Sequence, residues 1–245
     1  MKINELLNSQ SNNSFFKDRY EKNVTVSNVP SFEKEVFWKA MIACLLSSQQ
    51  RSGPESALTR FCSTVPFPLN LEKCTSSSEK LDDYVENILK KFGGIRRTNI
   101  IGKQVKTNFI WLNDNGWDQI EIWADKLIKN RKRKPEYEDF LVERNAANFF
   151  NENLVGFGPK QSRNLWQTMG MTRYEIPIDS RIIKWLNKTI FPFKLSSGAL
   201  SDRNYYEFVI NGIQEVCNEC KIVPCLLDAA IFSSYDSNWD KKNIW

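Results

Sequence analysis

Histidine is missing from all 245 residues. Without an imidazole, Ser-His-Asp hydrolysis, histidine-ligated zinc and nucleases with a histidine general base are excluded. Any acid–base chemistry must come from Lys, Asp, Glu, Tyr or Cys. No apolar run approaches the length of a membrane span, so none is expected. "MKINELLNSQSNNSFF" has a polar middle where a secretory leader would be apolar. The six cysteines then read most simply as reduced thiols in an intracellular protein. Alternating strand patterns are lacking, and no Asn-Gly signal joins two strand-like runs into a hairpin.

What is present is helical periodicity. In "EKEVFWKAMIACLLSSQQ" the apolar residues Val36, Phe37, Ala40, Met41, Cys44 and Leu45 recur at three-and-four spacing. "RSGPES" breaks that helix, and Pro54 is placed to start the next. "EKLDDYVENILKKFGG" repeats the pattern through Leu81, Tyr84, Val85, Ile88 and Leu89 until Gly93 and Gly94 stop it. Further helices are expected over 98–112, 117–130, 136–151, 160–169, 180–190, 202–217 and 224–235. "VPFPLN" and "CTSSSEK" read as a loop. The fold class is all-α. A stack of roughly ten helices suits two lobes with a cleft between them. Trp38, Trp111, Trp123, Trp166 and Trp185 fall on these helices and are expected in the core. Trp239 and Trp245 lie in a short basic tail that could fold over a pocket.

The net charge is +5, and its distribution says more than its size. "KLIKNRKRK", 126 to 134, holds six basic residues and no acidic one, and a second basic zone runs from Lys90 to Lys106 through Arg96, Arg97 and Lys103. Such clusters suit a polyanion, whose released counterions supply affinity. Each taken alone reads equally well as solvated loop charge.

One bend carries more. In "NLVGFGPKQSRNLW", 153 to 166, Gly156 and Gly158 alternate with Val155 and Phe157 before Pro159, a first helical residue. Helix, glycine-rich hairpin, helix aims backbone N–H groups and a helix N-terminus at one anion. A DNA phosphate is the obvious anion for a basic protein. Lys160 follows in the first turn, where the positive helix end disfavours an ammonium and favours a neutral, nucleophilic amine. Schiff-base chemistry at a sugar carbon needs such an amine. Nineteen residues on (179 − 160), in "EIPIDSRIIKWLN", Asp179 precedes a second apolar-periodic run. It reads as an N-cap, and an ionised carboxylate there can also stabilise a developing oxocarbenium ion.

"LVGFGPK" followed by "IPIDSR" resembles the helix-hairpin-helix DNA glycosylase superfamily, whose active site combines a Leu-x-Gly-x-Gly-x-Lys hairpin with a downstream Asp. "ACLLSSQQ", 43 to 50, is similar to the helix end that such enzymes present to DNA. The resemblance implies that Lys160 displaces the base at C1′ and forms the Schiff base, and that Asp179 stabilises charge there. Gly156 and Gly158 would hold a phosphate, with a monovalent cation on the hairpin carbonyls. Gln49 would fill the gap left by the flipped base, Gln50 beside it. Extrusion is needed because the glycosidic carbon is out of reach inside the stack. Arg181 matches a position that faces the DNA backbone, and Asn164 one that lies against the flipped base.

By the same resemblance the substrate is duplex DNA with a damaged base or abasic site, an oxidised purine such as 8-oxoguanine first, and the protein a monomer. The hairpin would lie in a six-helix lobe, 33–168, with 1–32 and 169–245 forming the other. Many relatives bind an iron–sulfur cluster through four C-terminal cysteines. Only Cys217, Cys220 and Cys225 stand here, so no cluster or other metal is expected. Two other readings stay open. Asp179 could activate water in a glycosylase without lyase activity, or the hairpin could serve a non-catalytic DNA-binding module.

Overall fold

In the computed structural model of the protein, the described residues are 2–50, 52–136, 138–189, 191, 193–236 and 238–239. They are all-α, with no strand among them. The chain runs through α1 (Lys2–Gln10), α2 (Ser14–Arg19, continued by a π-helical turn, Tyr20–Val24), α3 (Lys34–Leu46), α4 (Ala57–Cys62), α5 (Leu71–Ser76), α6 (Leu81–Phe92) and α7 (Thr98–Trp111). Then follow α8 (Trp117–Arg131), α9 (Asp139–Asn153), α10 (Pro159–Thr168), α11 (Ser180–Thr189), α12 (Arg203–Glu219) and α13 (Pro224–Tyr235). No helix among the described residues is long and apolar enough to cross a membrane.

Apolar periodicity predicted the long helices to within a few residues. The short ones differ. Pro54 does not start a helix; it lies in a turn, and α4 begins at Ala57 with Ser56 capping the N–H of Thr59 at 3.1 Å. Of the expected loop, 65–70 is non-helical, but 74–80 falls in α5 and a 3-10 turn, Ser78–Lys80, with Asn70 capping Lys73 at 2.9 Å. The stretch 33–168 therefore carries eight α-helices rather than six. Six-residue helices are too short to display a period; caps and tertiary packing make them.

Two large apolar cores form, with a small third cluster of Phe16, Ala229 and Ala230. One joins Phe37, Trp38, Met41, Leu45, Phe150 and Trp166 with α4–α8 and reaches Met171. The other joins Ile3 of α1 to Ile176, Ile182, Leu186, Tyr206, Ile213 and Ile231. Trp38 and Trp166 are fully buried, Trp111 and Trp123 pack partly against the first core, and Trp185 against the second. Cys217 and Cys225 are buried in that second core and Cys220 packs beside it.

Chain 171–178, which links the cores, is held by buried charge. The Glu143 carboxylate accepts from the backbone N–H groups of Arg173, Tyr174 and Glu175 at 2.6–2.9 Å. Glu175 pairs with Arg163 at 2.6 Å and Arg144 at 2.9 Å. Tyr206 Oη accepts from Ile178 N at 2.6 Å and donates to Ile176 O at 2.8 Å. This clamp ends one residue before Asp179, so the packing of α9, α10 and α12 sets where that carboxylate stands.

The basic run 126–134 stays exposed at Lys126, Lys129, Lys132, Arg133 and Lys134, but not at Arg131. Arg131 is fully buried and donates to the carbonyls of Gly170, Lys22 and Thr25. Arg133 pairs with Glu136 and Asp139, and Lys126 sits over Trp123 at 4.2 Å. Of its six cations, Arg131 alone is buried in structural bonds.

Candidate active site

The hairpin hangs between α9 and α10. Leu154 and Phe157 are buried and anchor it, while Val155 points out. Gly156 has φ +89°, and a Cβ there would lie 2.7 Å from Leu45 Cδ2. The fit to α3 and the left-handed backbone both demand glycine. Gly158 is different. Its φ is −85°, and a Cβ would meet nothing within 4 Å, so its face is open for another backbone to approach. Asn108 of α7, buried, grips the turn from behind: Val155 N donates to its Oδ1 at 2.8 Å and its Nδ2 donates to Val155 O at 3.0 Å. A monovalent cation on the hairpin carbonyls would share them with bonds already made, since Gly158 O accepts from Ser162 N and Oγ and Leu154 O from Phe157 N.

Pro159 is the first helical residue of α10 and Lys160 the second. Gln161, next to it, points inward. Its Nε2 donates to Cys44 O at 2.8 Å and to the hydroxyls of Ser47 and Ser48 at 3.0 Å. That ties the helix bearing Lys160 to the end of α3. Beyond Ser48, Gln49 is exposed with φ +60°, a conformation uncommon without glycine that lifts its side chain off the surface. Gln50 braces the turn, donating to Leu46 O and accepting from Arg96 N at 3.1 Å. Gln49 and Gln50 thus stand beside the loop "GGIRR", 93–97, which carries the exposed Arg96.

Lys160 and Asp179 line one pocket. Asp179 caps α11 through Oδ1, which accepts from Arg181 N at 2.8 Å and Ile182 N at 3.1 Å. Its Oδ2 holds the Arg181 guanidinium at 2.6–2.7 Å. Arg181 therefore lies along the pocket wall, its guanidinium 4.1 Å from the Phe232 ring centre. Asn164 lines the same pocket, donating to Cys44 Sγ at 3.3 Å. Burial behind Asn164 pushes the Cys44 thiol up to about 12, so it stays neutral.

Two walls had no motif in the sequence. Phe15, Asp18, Arg19 and Lys22 come from α2 and its π-helical turn, Asp228 and Phe232 from α13. Asp228 accepts from Gln167 Nε2 at 2.5 Å. Burial pushes its carboxyl up to about 6, with Asp179 adding to the rise and Arg19 opposing it. Burial also draws the Lys22 ammonium below its ordinary range. A lone acid in the apolar run "PCLLDAAIF" was the one readable signal for Asp228. Trp239 is buried against Phe15 and Phe232, its indole N–H without an acceptor among the described residues. Trp245 lies outside the described residues. The pocket thus holds the Lys160 amine, three carboxylates, further cations and an aromatic wall, the means for a nucleophilic step beside a flat apolar ligand.

No family model and no curated protein matches the chain. In fold it is similar to the crystal structure of Methanocaldococcus jannaschii 8-oxoguanine DNA glycosylase, with a TM-score of 0.61 over 96% of this chain and 92% of that one. Sequence identity is 19%, so what the two chains share is the all-α fold in which the hairpin and pocket are set.

Proposed function

We propose that the protein is a bifunctional DNA glycosylase and abasic-site lyase. The observation that carries this reading is the placing of Lys160 and Asp179, from two different helices, on one aromatic-walled pocket beside a glycine hairpin. The fold neighbour, named as an 8-oxoguanine DNA glycosylase, supports the same class.

The open face of Gly158 and the N–H groups at the start of α10 receive a phosphate of the damaged strand. Gln49 enters the duplex where the base leaves, and Gln50, Arg96 and the hairpin hold the backbone around it. The flipped base lies against Phe232 in the wall of aromatic rings, with Asn164 at its edge. Lys160 Nζ attacks C1′ as the C1′–N bond breaks and the pair of electrons leaves with the base, while the Asp179 carboxylate stabilises the cationic sugar. The nitrogen loses a proton and its electron pair forms the C1′=N bond as the C1′–O4′ bond breaks, O4′ taking up a proton, which opens the sugar to a protonated Schiff base. Removal of a C2′ proton then expels the 3′ phosphate and nicks the strand. The substrate is duplex DNA bearing an oxidised purine, 8-oxoguanine first, bound by a monomer within the cell.

Borohydride trapping on duplexes carrying 8-oxoguanine, thymine glycol, uracil or an abasic site tests this, with wild type beside Lys160→Ala. A covalent adduct that vanishes in the variant is the expected result. Excision without any adduct would replace the lysine mechanism by Asp179-activated water, and binding without excision would leave a DNA-binding module.

A further inference from the structure

The aromatic wall of the pocket is closed upon itself. Phe15 stacks on Phe232 at 4.5 Å between ring centres, and Trp239 lies 5.3 and 5.4 Å from the two. A base held between two rings needs two van der Waals contacts, about 7 Å from ring to ring, and no pair of these rings leaves that gap. The Phe232 ring is further taken by the Arg181 guanidinium at 4.1 Å. That guanidinium is flat, delocalised and stacked on an aromatic ring, and it donates from its edge to the Asp179 carboxylate. Those are the contacts a flat heterocycle bearing N–H donors would make in the same place. Arg181 reaches this position from the first turn of α11, two residues past Asp179, and a quarter of its side chain remains exposed. A short swing of the side chain returns it to solvent at the mouth shared by Gln50, Lys160 and Asp179.

We infer that Arg181 is the resident occupant of the base slot in the DNA-free protein, and that a DNA phosphate opens the slot by drawing the guanidinium out. This rests on the glycosylase reading and adds a gate to it. With Arg181 in place, the Asp179 carboxylate is neutralised and the stacking face of Phe232 is covered, so a free base finds no site. Once a phosphodiester takes the guanidinium, two things change together: the ring is bared and the carboxylate regains its charge. Engagement of the backbone and competence of the pocket are thereby coupled. Arg181 is a specificity residue in this scheme, separating a base presented on DNA from the same base free in solution.

The test is equilibrium dialysis of free 8-oxoguanine, guanine and uracil against wild type, Arg181→Ala, Arg181→Gln and Arg181→Lys, with thermal melts to confirm folding. Each base is measured with and without a duplex carrying a tetrahydrofuran abasic analogue, which supplies phosphates and no base. Wild type alone is expected to bind 8-oxoguanine at least about tenfold more weakly than Arg181→Ala or Arg181→Gln. The analogue duplex should raise the affinity of wild type about as much and leave the two variants unchanged. Arg181→Lys, which keeps the charge without the flat stack, should fall between. Equal free-base affinity in wild type and the two neutral variants overturns the gate, and so does a failure of those variants to bind any base while they still bind the analogue duplex. The glycosylase reading fails separately, by absence of both excision and trapped adduct in wild type on every lesion duplex.

Discussion

Two sets of buried charge can be compared. Around the linker 171–178, Glu143, Glu175, Arg144, Arg163, Arg173 and Asp139 are matched to one another and to backbone groups from several sides. Around the pocket, Asp179 is tied to the start of α11 and to Arg181, Asp228 to the Gln167 side chain and Arg19 to the Gln167 carbonyl, while Lys160 and Lys22 line the opening. Both sets cost desolvation. The first recovers it internally and so fixes geometry. The second leaves an amine and carboxylates open toward a cleft, which is the condition for chemistry rather than for scaffold.

Lys160→Ala presses that contrast hardest. The trapped adduct should disappear and excision slow by at least about a hundredfold, with the melting temperature nearly unchanged. Loss of stability without loss of the adduct would erase the distinction.

Glu175→Ala is the mirror test. It strands two arginines, one fully buried, and should cost about 3–5 kcal/mol, roughly a 10 °C lower melting temperature for a chain of this size. The folded fraction should still form the adduct, within about tenfold of the wild-type rate because Asp179 shifts only slightly, which single-turnover trapping normalised to folded protein would read.

The two hairpin glycines divide in the same way. Gly156→Ala meets Leu45 and a left-handed backbone and should destabilise by about 1–3 kcal/mol. Gly158→Ala meets nothing within the protein and should leave the melt alone while weakening DNA binding. A melt and a DNA titration on each variant would decide it, and equal effects on DNA binding alone would contradict the assigned roles.

The smallest expected effect is electrostatic. The folded carboxyl of Asp228, at about 6, stands above its unfolded value of roughly 3.9. The folded state therefore holds that proton more tightly. The stability it supplies is present at low pH, declines as pH rises from about 4 to 6, and stays lost above. Asp228→Asn should be more stable than wild type at pH 8, with the gap closing below about pH 4, as urea midpoints would report. A gap independent of pH would show that the carboxylate is paired rather than merely buried.

Much of this was legible along the chain. The long helices follow from three-and-four apolar spacing and the hairpin from its glycines and Pro159, because each is local in sequence, whereas the pairing of Lys160 with Asp179 was implied only by the resemblance. The short helices α4 and α5 were not legible because six residues display no period, nor was the use of Arg131, whose partners lie 39 and 109 residues away. The sequence by itself determined which residues could do chemistry: with no histidine, a lysine at a helix start and an aspartate at the next one stood out. Only tertiary structure decided that Phe15, Arg19, Asp228, Phe232 and Trp239, drawn from opposite ends of the chain, meet around them. A pocket is a property of surfaces brought together, and spacing within one segment carries no information about what another segment sets against it.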